Sequence, residues 1–342
     1  MDKYINELKT VLDRYRALGI SEQIDYDKFY LYSIITHSTA IEGSTVTEVE
    51  NALLFDEGIS ANGKPIVEQL MNIDLKNAYE RSILWAREHK PFSVDMLKSL
   101  SAMVMKNTGS VYSTLQGEFD SSKGDLRLVG VTAGAGGRSY MNYQKVPARL
   151  DEFCKEINRR REALIKKPDE IEAYLLSFDA HNILVAIHPW VDGNGRMSRL
   201  IMNYLQFEFG LVPVKVMTED KAAYIEALNE SRDNETMLPF RRFMLRTHAR
   251  NLTSEIDRYE KSMKDEVNYK DDTKDNTKEL SERQCVILGL VTSDDTMTIT
   301  EMIQKTGVSS VTIKRDLAVL QKKGLLKREG GRRNGRWVVQ EI

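Results

Sequence analysis

What the chain is short of narrows it first. Among 342 residues there are two cysteines, Cys154 and Cys285. They fall in stretches of different character, with no disulfide framework and no metal-ligand spacing around them. A reducing compartment fits best, so a cytoplasmic location is the expectation. No apolar run approaches the roughly 18 residues that a membrane-spanning helix needs. The start, Met1-Asp2-Lys3-Tyr4-Ile5, lacks the charged, apolar, then small-residue pattern of a leader. No membrane partner is expected. A dominant charge sign is missing as well, since 49 Lys and Arg face 51 Asp and Glu. The balance is uneven, however. Residues 281–342 carry 11 basic against 7 acidic side chains, on an acidic remainder of 38 against 44.

What is present is mostly helical patterning, with 41% hydrophobic residues and enough length for two or three domains. Tyr4, Ile5, Leu8, Val11, Leu12 and Tyr15 repeat at three and four, and residues 1–35 read as helical. Tyr30 to Ile41 continues in that mode, and Gly43 supplies a stop. A long helix is predicted over Val67–His89, and Ser93 is predicted to cap the next. Residues 107–146 break the pattern with seven glycines. There Leu126–Val131 and Ser139–Tyr143 read as two strands of a β-hairpin, joined by the Gly-rich connector Thr132–Gly137. Helix resumes over 147–170, with Arg159, Arg160 and Arg161 expected on its solvated side. His181 reads as a buried imidazole bonded to the loop that follows its helix.

That loop, His188-Pro189-Trp190-Val191-Asp192-Gly193-Asn194-Gly195-Arg196-Met197-Ser198-Arg199, separates two apolar helices. Gly193 and Gly195 allow a tight turn and close ligand approach. The free N–H groups of the following helix's first turn make an anion site. Arg196 and Arg199, three apart, share one face and can each grip a phosphate. Asp192 stands where a hard cation shared with phosphates would sit. His188 can take up a proton. Base, carboxylate and polyphosphate cradle together describe phosphoryl or nucleotidyl transfer.

The string resembles the signature of the Fic (filamentation induced by cAMP) family, with Trp190 where that family most often has Phe. The resemblance implies a protein adenylyltransferase, which moves AMP from ATP to a Ser, Thr or Tyr hydroxyl of a target protein. It implies His188 as base, Asp192 on Mg²⁺, Gly193, Asn194 and Gly195 as the anion hole, and Arg196 and Arg199 on the phosphates. Tyr224 would line the adenine pocket. The family's inhibitory helix places a Ser or Thr four residues before a Glu followed by Gly or Asn, and Ser38 to Gly43 fits. Glu42 would then pair with Arg199 and block the γ-phosphate, with Ser38 steadying the pair. The family's flap hairpin would hold the target's extended segment by strand addition. De-AMPylation with Glu42 orienting water, and transfer of UMP or phosphate, are the alternatives within the family.

The expected fold is therefore mainly α: a Fic-type helical core with a β-hairpin flap, plus a C-terminal winged helix. The division expected is 1–105 as the N-terminal helical region with the inhibitory helix at about 30–43, 106–255 as the catalytic core, 256–280 as a helical, charged linker and 281–342 as the last domain. In 281–342, helices opening at Ser281 and Ile299, a turn at Thr306–Ser309, a helix over Val311–Lys323 and a hairpin with a basic tip at Gly330–Gly335 resemble the winged helix of bacterial repressors. Double-stranded DNA is its expected partner, with the third helix in the major groove. The alternative to the adenylyltransferase reading is then a DNA-bound regulator with the Fic core as sensor. A second copy of the chain is a further partner to be tested.

Overall fold

The computed structural model describes residues 1–23, 25–133, 137–272, 280–329 and 336–340. They fold as two compact units, Met1–Glu260 and Lys261–Ile342. The helices of the first unit are α1 (Asp2–Ala17), α2 (Tyr26–Ile41), α3 (Glu48–Glu57), α4 (Ile66–Arg87), α5 (Val94–Val104), α6 (Val146–Lys166), α7 (Glu170–Ile187), α8 (Asn194–Glu208), α9 (Lys221–Asp233) and the start of α10 (Leu238–Asp272). The expected continuous helix over 1–35 is broken where Gly19 and Asp25 both adopt φ of 61°. No helix among the described residues is long and apolar enough to cross a membrane.

Packing sets α7 and α8 at the centre. One apolar cluster joins Ala180 and Leu184 of α7 and Leu200, Ile201 and Tyr204 of α8 to Ile34, Leu75, Leu97 and Phe153 from α2, α4, α5 and α6. A second joins Tyr174 and Phe178 of α7 to Leu12 of α1, Tyr224 of α9 and Phe240 of α10. Each fully buried large apolar side chain contributes about 1.5–3 kcal/mol. The loop between α7 and α8 is thus fixed at both ends by the best-packed helices of the unit.

A buried polar weld fixes α2. Thr39 Oγ1 donates to Asn72 Oδ1 at 2.7 Å, and Asn51 Nδ2 reaches Thr36 Oγ1 at 2.7 Å and Asn72 Oδ1 at 2.9 Å. Asn72 Nδ2 reaches Ser44 Oγ at 3.1 Å. Asn51 Nδ2 and Asn72 Oδ1 find these partners only while α2, α3 and α4 stay together, and a buried polar group without its partner costs about 1–3 kcal/mol. The end of α2 that carries Glu42 is therefore held in place.

Two sequence expectations are corrected here. The regular hairpin lies earlier than expected, with β1 (Val111–Thr114) pairing antiparallel to β2 (Gly117–Asp120). Over 126–143 the expected ladder shrinks to one bridge, Thr132 with Ser139. The physical reason is the Arg127 side chain, which turns inward and takes the Val129 and Met141 carbonyls that a ladder would use. Residues 134–136 of the connector lie outside the described residues. The arginine run is likewise not one solvated face. Arg159 pairs with Glu156 at the surface, but Arg160 reaches Asp179, and Arg161 is buried on Glu208.

The second unit holds α11 (Glu282–Ser293), α12 (Ile299–Thr306), α13 (Ser310–Lys322), β3 (Leu326–Glu329) and β4 (Arg336–Val339). Capping boxes start α11 at Ser281 and α12 at Thr298, and Ser309 caps α13. Ile287, Met302, Ile313, Leu317, Leu320, Leu326 and Trp337 form its core. β3 and β4 pair antiparallel, and the Trp337 indole donates to Met297 O at 2.9 Å. This is a helix-turn-helix followed by a two-stranded wing. The wing's basic tip, 330–335, and residues 273–279 of the expected linker lie outside the described residues.

Candidate active site

The site is built from the α7–α8 loop. α7 ends on His188, which caps it with φ 51° and donates its amide to Leu184 O. A left-handed conformation costs a non-glycine residue roughly 1–2 kcal/mol, so this backbone must be held from outside. Trp190 is fully buried and donates its indole N–H to Gly124 O at 3.1 Å. Asn194 braces the loop from within, its side chain accepting from Trp190 N at 3.1 Å and donating to Trp190 O at 2.9 Å. Its side chain is thereby engaged within the loop, and its backbone N–H opens the first turn of α8.

Two glycines are required here. Gly193 sits at φ 79°, and a Cβ there would meet Met105 Sδ at 2.7 Å. A Cβ on Gly195 would lie 2.5 Å from Glu42 Oε1 and 3.1 Å from Arg199 Nη1. The first turn of α8, at Asn194, Gly195 and Arg196, thus presents amide N–H groups that a helix leaves without an intrahelical partner, beside two guanidinium groups.

Arg196 is 3% exposed yet poorly partnered. Its Nη1 lies 3.4 Å from Val104 O, Nη2 is 3.1 Å from Met105 Sδ, and buried Nε has no partner among the described residues. Burial holds its pKa below the ordinary arginine value, without threatening its charge at neutral pH. Asp192 keeps a side chain 64% exposed, accepts from Gly193 N at 2.6 Å and stands 3.8 Å from Arg196 Nη2. An under-partnered cation, a glycine cradle and an exposed carboxylate beside them fit a polyphosphate with a divalent cation.

Arg199 is fully engaged. Its Nε donates to Ser38 Oγ at 2.8 Å, and Nη2 donates to Ser38 O at 2.9 Å and Glu42 Oε1 at 2.5 Å. Its Nη1 lies 3.4 Å from the Tyr224 hydroxyl. Burial alone would lower the arginine's pKa and raise the carboxyl's. Their mutual attraction outweighs it, so Arg199 moves up and Glu42 moves down. Glu42, Ser38 and Arg199 thus come together across 157 residues of chain.

Tyr224 stands behind the arginine. It is 3% exposed, among Phe240 and Phe243, with its hydroxyl 2.9 Å from His181 Nε2. His181 accordingly bonds Tyr224 and stacks on Phe240, a correction to the loop contact expected of it. Burial lowers its pKa well below the ordinary value, so the ring is neutral.

His188 is neutral too. Burial pushes its pKa down to about 4, and Arg127 adds to this against the opposing pull of Val185 O, Asp192 and Glu42. Its Nδ1 lies 3.4 Å from Val185 O, which leaves Nε2 as the basic nitrogen. Two residues that were read only as strand residues touch it. Tyr140 stacks on the imidazole, and Arg127 donates to the His188 carbonyl at 2.7 Å. Only the fold reveals these contacts, because 61 and 48 residues separate them from His188.

Comparison with known proteins agrees with this geometry. The model of the Fic/DOC family matches residues 91–206, and that of the DeoR-like helix-turn-helix domain matches 283–334. The chain is 28% identical over 222 residues to the protein adenylyltransferase Fic of Nematostella vectensis, covering 64% of this chain and 47% of that protein. It is 26% identical over 240 residues to the protein adenylyltransferase fic-1 of Caenorhabditis elegans, covering 70% and 42%. The chain thus spans about half the length of the curated relatives it matches. Two solved structures share the fold. A Fic domain containing signaling protein from Bacteroides thetaiotaomicron matches with a TM-score of 0.59 at 20% identity, over 73% of this chain and 95% of that one. A Fic family protein from Desulfovibrio desulfuricans matches with a TM-score of 0.60 at 16% identity, over 99% and 95%. This chain therefore carries a Fic/DOC family domain at residues 91–206 and a DeoR-like helix-turn-helix domain at residues 283–334.

Proposed function

We propose that the chain is a protein adenylyltransferase that moves AMP from ATP to a Ser, Thr or Tyr hydroxyl of a target protein, and that Glu42 restrains it. The observation that carries this reading is the convergence on α8. The glycine cradle, the helix N-terminus, Arg196 and Arg199 lie together on α8, a neutral His188 ends the preceding helix, and Glu42 already sits on Arg199. The relatives named protein adenylyltransferase support the choice of AMP.

His188 Nε2 accepts the proton of the target hydroxyl. The hydroxyl oxygen bonds the α-phosphorus, the bond from that phosphorus to the bridging oxygen breaks, and pyrophosphate leaves. Gly193, Asn194 and Gly195 supply backbone donors to the phosphates, and Arg196 and Arg199 hold their charge. Asp192 is the residue to hold Mg²⁺, which when bound neutralises charge on the leaving phosphates. Tyr224 buttresses Arg199 beside the adenine side of the site. The target's extended segment runs along the flap region. Residues 1–105 then serve as the inhibitory region and 106–255 as the catalytic core. That division is functional, since the apolar core runs through both.

The test is label transfer from α-labelled and γ-labelled ATP by the Glu42→Gly variant. Only the α label should reach protein. Transfer of the γ label instead would replace this reading with phosphoryl transfer.

A second role rests on the separate winged-helix unit. We infer that it binds double-stranded DNA through α13, where Lys314 and Arg315 are exposed. Retention of duplex DNA by the whole chain, lost on removing 281–342, is the outcome expected.

A further inference from the structure

The stack on His188 is an arrangement that the transfer mechanism above does not use. The Tyr140 and His188 ring centroids are 3.7 Å apart, with planes 17° from parallel. Tyr140 is half-buried, and its amide donates to Val131 O at 2.9 Å. Arg127 is 1% exposed and is paired with no carboxylate among the described residues. Its Nε donates to His188 O at 2.7 Å and its Nη1 to Val129 O at 2.7 Å, while its Nη2 donates to Met141 O. Its own amide donates to Pro189 O at 3.1 Å.

A buried guanidinium without a counter-ion is costly unless its donors are satisfied. Here they are satisfied by carbonyls of two separate segments. One is the strained carbonyl end of the base itself, and the others flank Tyr140. The staple therefore ties the segment that carries the tyrosine to the backbone that carries the histidine. The stacked ring closes one face of the imidazole to water and stops it rotating. Nδ1 is turned to Val185 O, so Nε2 is the nitrogen left to work. The charged groups around the ring are Arg127, Asp192 and Glu42, and Arg232 lies 5.9 Å from the Tyr140 ring.

We propose that Tyr140 is a positioning residue for His188, held over the imidazole by the Arg127 staple so that Nε2 alone meets the incoming hydroxyl. The proposal rests on the adenylyltransferase reading, with His188 as its base. It also makes the base responsive to the flap region, because displacing Val131 or Met141 displaces the ring that orders His188.

The experiment uses the full chain carrying Glu42→Gly, compared with the same chain carrying Tyr140→Phe or Tyr140→Ala. It reads kcat, KM for ATP, and the acidic limb of the kcat–pH profile. Independently, the His188 Cε1–H resonance is titrated by NMR without nucleotide, assigned by its loss in His188→Ala. Tyr140→Phe should retain the parent's kcat and titration. Tyr140→Ala should lower kcat roughly tenfold at unchanged KM. It should also move the limb and the titration upward by about one pH unit as water reaches the ring. Arg127→Lys, which keeps the charge but cannot span the carbonyls, should give the same upward movement. A Tyr140→Ala variant with the parent's kcat and titration would overturn the proposal, as would a Phe variant as impaired as the Ala variant. Unchanged titration in Arg127→Lys would overturn the staple's part. If Glu42→Gly transfers no AMP, the adenylyltransferase reading fails on its own. The titration then still decides whether Tyr140 orders His188, by rising or not rising in Tyr140→Ala.

Discussion

Replacing Glu42 by Gly should release AMP transfer by a factor that the structure bounds. The carboxylate meets Arg199 Nη2 at 2.5 Å, with the Glu42 side chain 34% exposed and Arg199 3% exposed. A charge-assisted hydrogen bond contributes about 1.5–3 kcal/mol. The exposure of Glu42 screens it, which favours about 2 kcal/mol or less. A second contribution is repulsion between the carboxylate and an incoming phosphate charge. At roughly 4–5 Å and an effective dielectric near 20, that is about 3–4 kcal/mol before screening by water on the exposed side. The two together give about 3–5 kcal/mol, or roughly 10²- to 10⁴-fold. The assay is the initial rate of α-label incorporation at fixed ATP and Mg²⁺. Glu42→Gln, which removes the charge but keeps the side chain, should fall between parent and Gly. Adding Arg199→Ala to Glu42→Gly should cancel the gain, because the freed fork is what Glu42 was blocking. A folded Glu42→Gly protein with less than about a tenfold rise would refute the energetic argument. Full activity in the Arg199→Ala double variant would show that Glu42 acts elsewhere.

Three further outcomes follow from the same structure. Burial lowers His188 to about 4 and His248 to about 3, against an ordinary 6.5. The unfolded chain therefore binds these protons first, so stability is fully present above pH 6.5 and is lost as pH falls through that window. Urea midpoints measured across it should rise with pH, and flat midpoints would contradict the burial of these rings. Arg161 and Glu208 form a pair with side chains 4% and 0% exposed. Arg161→Ala should cost about 3–5 kcal/mol in chemical denaturation by removing the buried cation from a carboxylate that then keeps His89, whereas Arg159→Ala should cost under about 0.5 kcal/mol. In the winged-helix unit, Lys314→Ala should weaken binding of any duplex and reduce the slope of log affinity against log salt by about one. Fluorescence anisotropy across a salt series reads this directly, and an unchanged slope would remove Lys314 from the phosphate contacts.

The parts of the site legible in sequence are those written locally. The run from His188 to Arg199 encodes its own geometry, because a glycine turn between apolar helices fixes where the helix N-terminus and both arginines point. Ser38 and Glu42 are legible only through the resemblance to the Fic family's inhibitory pattern, and the structure brings both onto Arg199. Capping side chains at Ser93 and Ser281 were readable for the same reason. What escaped is what depends on tertiary contact. Arg127 sits between Leu126 and Leu128 and reads as a surface position on a strand, yet its side chain is interior and dissolves that strand's ladder. The β1–β2 hairpin has only four residues per strand, with Gly117 at φ 125°, too short for alternation to announce. Arg161 is indistinguishable in sequence from its two arginine neighbours. Their distant partners separate them: Glu208, 47 residues away, for Arg161 and Asp179 for Arg160.

The central claim is that the α8 cradle serves transfer of AMP by His188. Intact-protein mass spectrometry of the Glu42→Gly chain after incubation with ATP and Mg²⁺ tests it most directly. Self-modification or a modified lysate protein should gain the mass of one adenylyl group, and the gain should vanish when His188→Ala is added. A gain of phosphate alone, or an adenylyl gain that survives His188→Ala, would contradict the account.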